Sequence, residues 1–149
     1  ILHLTTTVEM GALESLASGI ELSKKELIAE ELAPTCYAYA RHLLSVAYSG
    51  SVVESLVAML PCEWSYLEIG KLLSKSGEIN KREVYSRWAE AYASDEYEEL
   101  VSLFRELIDL RVGECGVREK REMERLFFLG SRYEYMFWDA AYRKEGWPI

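Results

Sequence analysis

The chain has 149 residues, half of them hydrophobic, and 25 acidic against 17 basic side chains give a net charge of −8 at pH 7. That length fits one domain, 1–149, with a full core. The acidic balance without any Lys/Arg stripe excludes a protein that works by neutralising nucleic-acid phosphates and argues against docking on anionic membranes. No apolar run is long enough to span a bilayer, no signal-peptide pattern opens the chain, and three scattered cysteines make no disulfide framework, so the sequence reads as a cytoplasmic protein with free thiols.

Taken in order, Ile1 to about Ser18 reads as an amphipathic helix that begins without a cap and ends at Gly19. Ser23-Lys24-Lys25-Glu26 is a capping box that starts a short helix through Leu32. Pro34 closes that helix and suits the first turn of the next, Tyr37 to Tyr48, which Gly50 stops. A long helix follows from about Ser51 to Leu73. Met59, Cys62, Tyr66, Ile69 and Leu73 recur along it at three- and four-residue steps, on one face. Pro61 lacks an N–H, so the Val57 carbonyl loses its partner and a kink is expected beside Cys62. Ser76-Gly77 breaks the chain. Asn80 caps a helix to Ala93 with Val84, Trp88 and Tyr92 in phase. Ser94-Asp95 starts another through Arg111, with Leu100, Phe104, Leu107 and Leu110 inside. After a turn from Gly113 to Gly116, the last helix runs from about Val117 to Arg143. No segment alternates like a strand and no repeat is present, so the class is all-α.

The last helix carries an inward stripe of Met123, Leu126/Phe127, Gly130, Glu134, Phe137/Trp138 and Ala141. Glu134 is its one charged group. A buried carboxylate is costly, so Glu134 either pairs with a neighbour or keeps its proton and serves as a general acid. Tyr39, Tyr66 and Tyr92 lie on the apolar faces of three different helices. They are core aromatics, or they form a box for a flat ring. Among the thiols, Cys36 falls in the first turn after Pro34, where a helix N-terminus favours a thiolate. On electrostatics alone Cys36 is the better nucleophile than mid-helix Cys62, while Cys115 sits in a turn. His3 and His42 have no ligand-type residue at helical spacing, so neither a metal nor haem is expected. No phosphate loop and no nucleophile elbow is present.

Leu60-Pro61-Cys62-Glu63-Trp64-Ser65-Tyr66, followed by Ile69-Gly70, resembles the central motif of the TenA family, the aminopyrimidine aminohydrolases also called thiaminase II. Three further stretches agree in order: Tyr37-Ala38-Tyr39 with Leu43-Leu44; Trp88-x-x-x-Tyr92 before Ser94-Asp95-Glu96-Tyr97; and Tyr133-Glu134-x-x-Phe137-Trp138-Asp139-x-x-Tyr142. The resemblance implies a haem-oxygenase-like all-α bundle without haem or other cofactor, usually a homotetramer, acting on a small-molecule pyrimidine. It implies Cys62 as nucleophile, in the branch of the family that keeps a Cys in this motif, and Glu134 as the acid at a ring nitrogen. Tyr39, Tyr66, Tyr92 and Phe137 would line the pocket. That assignment displaces Cys36.

Family members begin with further helices bearing an H-P-F stretch and a Q-D-x-x-Y-L stretch, and nothing here matches them. The expectation is a chain lacking the first helices of the fold: a fragment, a protein completed by a separate N-terminal segment, or an inactive remnant. Two functional readings stay open beside each other, an aminopyrimidine hydrolase of thiamin salvage and a non-catalytic, regulatory binder of thiamin or a related pyrimidine. A third, a related cofactor-biosynthesis oxidase, has few of the His and Arg residues it would need.

Overall fold

The computed structural model describes residues 10–76 and 83–149. The expected helical start at Ile1, His3, Gly77 and the Asn80 cap lie outside the described residues. Among those described are seven helices and no strand: α1 (Met10–Gly19), α2 (Lys24–Ala29), α3 (Pro34–Ser49), α4 (Val52–Ser76), α5 (Glu83–Tyr92), α6 (Asp95–Val112) and α7 (Val117–Arg143).

Local chemistry sets most of the boundaries. Ser23 and Glu26 exchange the two bonds of a capping box at α2, and the helix stops at Ala29, short of the expected Leu32. Pro34 opens α3, where its missing N–H costs nothing. The Ser51 N–H donates to Glu54 Oε2 at 2.6 Å and Ser51 Oγ accepts from the Glu54 N–H, so α4 is boxed in the same way. Ser94 Oγ accepts the Tyr97 N–H at the start of α6. Gly116 has no side chain to cap α7, so only the reciprocal half of a box is present, the Gly116 N–H donating to Glu119. α4 remains one helix through Pro61.

The chain divides into two compact units, each assembled from two stretches, and α4 and α6 contribute to both. The first takes in the described residues up to Glu31 and Ser65–Ser102. Here α1 packs on α5, and a Cβ on Gly19 would come within 2.8 Å of Val84 Cγ2. Gly70 of α4 lies under the end of α5, where a Cβ would meet the Tyr92 carbonyl carbon at 2.9 Å. Lys71 and Glu98 form an ion pair at 2.6 Å on the surface of this unit.

The second unit takes in Leu32–Trp64 and Leu103–Ile149. In it α3 packs on α7, and α4 crosses α7 closely at Gly130, where a Cβ would stand 2.8 Å from the Ala58 carbonyl oxygen and 2.9 Å from Pro61 Cγ. Lys144, in the left-handed conformation at φ 55°, ends α7 and turns the tail back. Glu145 then caps α3: the Thr35 N–H donates to Glu145 Oε2 at 2.8 Å and Thr35 Oγ1 donates to Oε1 at 3.0 Å. Trp147 Nε1 donates to the Leu32 carbonyl at 3.0 Å and its ring meets Tyr37 edge-on.

Two expected faces are corrected. On α6 the buried positions are Tyr97, Leu100, Val101, Phe104 and Ile108, while Leu107 and Leu110 are exposed. Leu110 lies six residues past Phe104, about 120° round the helix at 3.6 residues per turn, so it cannot share that face. On α4 the most buried positions include Val53, Leu56, Val57, Ala58, Leu60, Glu63 and Leu67, while Met59, Cys62, Tyr66, Ile69 and Leu73 are half-buried. A helix apolar nearly all round offers several stripes of the same period, and periodicity does not rank them.

Candidate active site

In the second unit α3, α4 and α7 bring Tyr39, Cys62 and Glu134 together. The close crossing at Gly130 accounts for it. Glu134 lies one turn beyond Gly130, and Cys62 one turn beyond Ala58, so the backbones are near enough for a short thiol to reach a carboxyl on the neighbouring helix. Glu134 and Tyr39 are buried, at 6% and 7% exposure, and Cys62 is half-buried. Burial pushes the Glu134 pKa up from its ordinary value, and the Tyr39 hydroxyl and Cys62 thiol act in the opposite direction without cancelling it. Burial, followed by the charges of Glu134 and Cys62, drives the Tyr39 phenol pKa upward as well, so Tyr39 stays a neutral donor. Tyr39 Oη and Glu134 Oε2 nonetheless lack a partner at good hydrogen-bonding geometry. The groups are within electrostatic reach, and the polar capacity of this buried corner is not used up.

Three residues not expected to belong to the site support this corner. Tyr133 stacks on Tyr39 with ring centroids 5.0 Å apart and planes 7° apart, and His42 stacks on Tyr133 at 5.2 Å. Glu63, next to Cys62, is buried at 7% exposure, and its charge helps hold Tyr39 neutral. The available signal was adjacency: Tyr133 precedes Glu134, Glu63 follows Cys62, and His42 is one turn from Tyr39. Phe137, one turn past Glu134, is half-buried and lines a cleft of about 130 Å³ with Cys36, Ala33, Ala140 and Ala141.

Tyr66 and Tyr92 belong to the first unit, where they meet at 4.8 Å with planes 61° apart. Trp88 contacts both rings, and Tyr97 meets Tyr92 edge-on. These rings form one aromatic cluster of α4, α5 and α6.

Cys36 is not the activated thiol that its helix position suggested. Burial pushes its pKa up. The helix N-terminus that would stabilise a thiolate is instead taken by the Glu145 carboxylate through Thr35. Among the described residues no group of His, Cys, Asp and Glu could hold a metal ion, and no helix is long and apolar enough to cross a membrane.

An all-helical chain with a thiol, a phenol and a raised-pKa carboxyl converging from three helices has the parts of a nucleophile-and-acid site for a small ligand. The chain belongs to the TENA/THI-4/PQQC family, whose model matches residues 2–144. It is 37% identical over 147 residues to an aminopyrimidine aminohydrolase of Halalkalibacterium halodurans, covering 99% of this chain and 66% of that protein. It is also 37% identical to the aminopyrimidine aminohydrolase of Bacillus subtilis, covering 96% of this chain and 60% of that one. Among solved structures, a TenA homologue from P. horikoshii OT3 superposes with a TM-score of 0.82 at 33% identity, covering 93% of this chain and 63% of the other. The fold is thus the all-α, haem-oxygenase-like one. The chain spans 66% and 60% of the length of these two curated relatives.

Proposed function

We propose that this protein hydrolyses an aminopyrimidine, thiamin or its aminomethyl degradation product, to the hydroxymethyl pyrimidine in thiamin salvage. The observation that carries the reading is the convergence of Cys62, Tyr39 and a buried Glu134 whose pKa burial raises. The names of the relatives agree with it.

The chemistry follows from the residue types. Water attacks a ring-bound methylene poorly. Addition of Cys62 Sγ to the neighbouring ring carbon breaks the aromaticity, and the 4-amino group then helps expel the leaving group from the methylene. A protonated Glu134 gives its proton to a ring nitrogen during that addition and recovers one from the thiol, so sulfur and hydrogen add across one C=N bond. Water adds to the exocyclic methylene, the C–S bond breaks and the proton returns. The products are the hydroxymethyl pyrimidine with ammonia, or with the thiazole when thiamin is the substrate. Tyr39 donates to the carboxylate while the proton is away. In this reading Phe137 contacts the ring, no cofactor is required, and the cytoplasmic, homotetrameric setting comes from the family resemblance.

Cys62→Ser and Glu134→Gln, assayed against thiamin and the aminomethyl pyrimidine, test the reading. Both variants should fold and lose pyrimidine release by at least about a hundredfold, the scale of an essential nucleophile or acid. Turnover that survives Cys62→Ser would remove the mechanism. Thermal stabilisation by a pyrimidine without turnover in the parent chain would select the non-catalytic binder instead.

A further inference from the structure

The Tyr39 hydroxyl faces Glu134 but is not fixed by a well-formed hydrogen bond. Contact with its ring must therefore hold it in place. That contact is Tyr133, nearly parallel to Tyr39 at 5.0 Å, and behind Tyr133 stands His42 at 5.2 Å with planes 25° apart. His42 is half-buried and its Nε2 is itself buried without a partner. An orphaned ring nitrogen is costly, and an aliphatic side chain would avoid that cost. What a leucine could not supply is a flat ring face against Tyr133. His42 also lines a cleft of about 250 Å³ together with Ser45, Glu54, Glu122 and Arg125. Arg125 is bound to Glu122 through both Nε and an Nη, at 2.9 and 2.6 Å. His42 Nε2 takes no hydrogen bond from this cleft, and the stack on Tyr133 is the contact that orients its ring.

We propose that His42 is a positioning residue that acts through Tyr133 to hold the Tyr39 hydroxyl against Glu134. This rests on the reading of Glu134 as the acid of an aminopyrimidine hydrolase. The titratable and charged groups facing the arrangement are Glu54, Cys62 and Glu63 on α4 and Glu122 and Arg125 on α7. Of these the Cys62 thiol also acts on the Glu134 carboxyl, but from α4 and independently of the ring stack.

The test compares His42→Ala with His42→Phe in the full chain, the second restoring a ring without the nitrogens. In H42A, kcat should fall about tenfold with KM changed by less than about twofold, because a donor moved by a fraction of an ångström weakens the chemical step more than binding. H42F should return kcat to within about twofold of the parent. Carboxyl-carbon NMR, assigned with Glu134→Gln, reads the Glu134 midpoint without turnover. The Tyr39 hydroxyl holds that midpoint down, so it should rise in H42A and return in H42F. Should H42A not fold, His42→Gln, of similar volume but without a ring, takes its place with the same expected outcomes. A normal kcat and midpoint in the ring-free variant, a defect carried by KM alone, or an H42F as impaired as the ring-free variant would each overturn the proposal. Lack of turnover by the parent chain would overturn the hydrolase reading, while the Glu134 midpoints would still decide the role of His42.

Discussion

Gly130→Ala tests the crossing that makes the site. The added Cβ would lie 2.8 Å from the Ala58 carbonyl oxygen and 2.9 Å from Pro61 Cγ. Neither atom ends a flexible side chain, so relief requires α7 to move away from α4. Overpacking of this kind costs about 1–3 kcal/mol. Replacing a mid-helix glycine by alanine returns about 1 kcal/mol of helix propensity. With two hard contacts the clash should sit at the upper end, leaving a net loss of about 1–2 kcal/mol, or roughly 2–8 °C in Tm at about 2–4 °C per kcal/mol for a chain of this size. The displacement also carries Glu134 away from Cys62, one turn further along the same two helices. The temperature of thermal unfolding should therefore decline and, on the proposed hydrolase reading, aminopyrimidine turnover should fall further than the loss of folded protein explains. An alanine variant as stable and as active as the parent would show that the helices do not approach this closely.

Two further perturbations follow from carboxyl groups. Glu134 holds its proton in the folded state at pH values where the unfolded chain, near 4.5, has released it. The folded state then binds more protons across that window, so Glu134 makes stability fall as pH rises from about 4.5 to its raised value. Glu134→Gln removes this contribution, and the stability difference between parent and variant should shift in the variant's favour across that window; parallel stability–pH curves from denaturant titration would contradict it. Glu145→Ala removes the carboxylate that caps α3 through Thr35 and should cost about 1–2 kcal/mol in the same titration, as losing a helix cap does. No loss would mean that the tail does not hold α3.

The helices were legible because their punctuation is local. Ser23 with Glu26, Pro34, Gly50 and Ser94 each act within one turn of the boundary they set. The inward stripe of α7 was legible as far as Glu134, because its polar residues leave only one apolar face: Met123, Leu126, Gly130 and Glu134 are all buried. α4 was less readable, since nearly every side of it is apolar and the stripe through Cys62 proved the less buried one. Cys36 misled for a different reason. Its place at a helix start is a local fact, but the carboxylate that occupies that start comes from Glu145, 110 positions away.

The order of residues alone determined the all-α class, most helix ends and the candidate residues, since periodicity, caps and motif spacing act over a few positions. Tertiary structure decided which candidates share a corner. Cys62 reaches Glu134 because Gly130 lets two helices approach, and Tyr39 stacks on Tyr133, from a helix more than 90 residues further along the chain. Such contacts depend on how closely backbones can approach and on the direction each side chain then takes, and neither quantity is written in any local stretch of sequence.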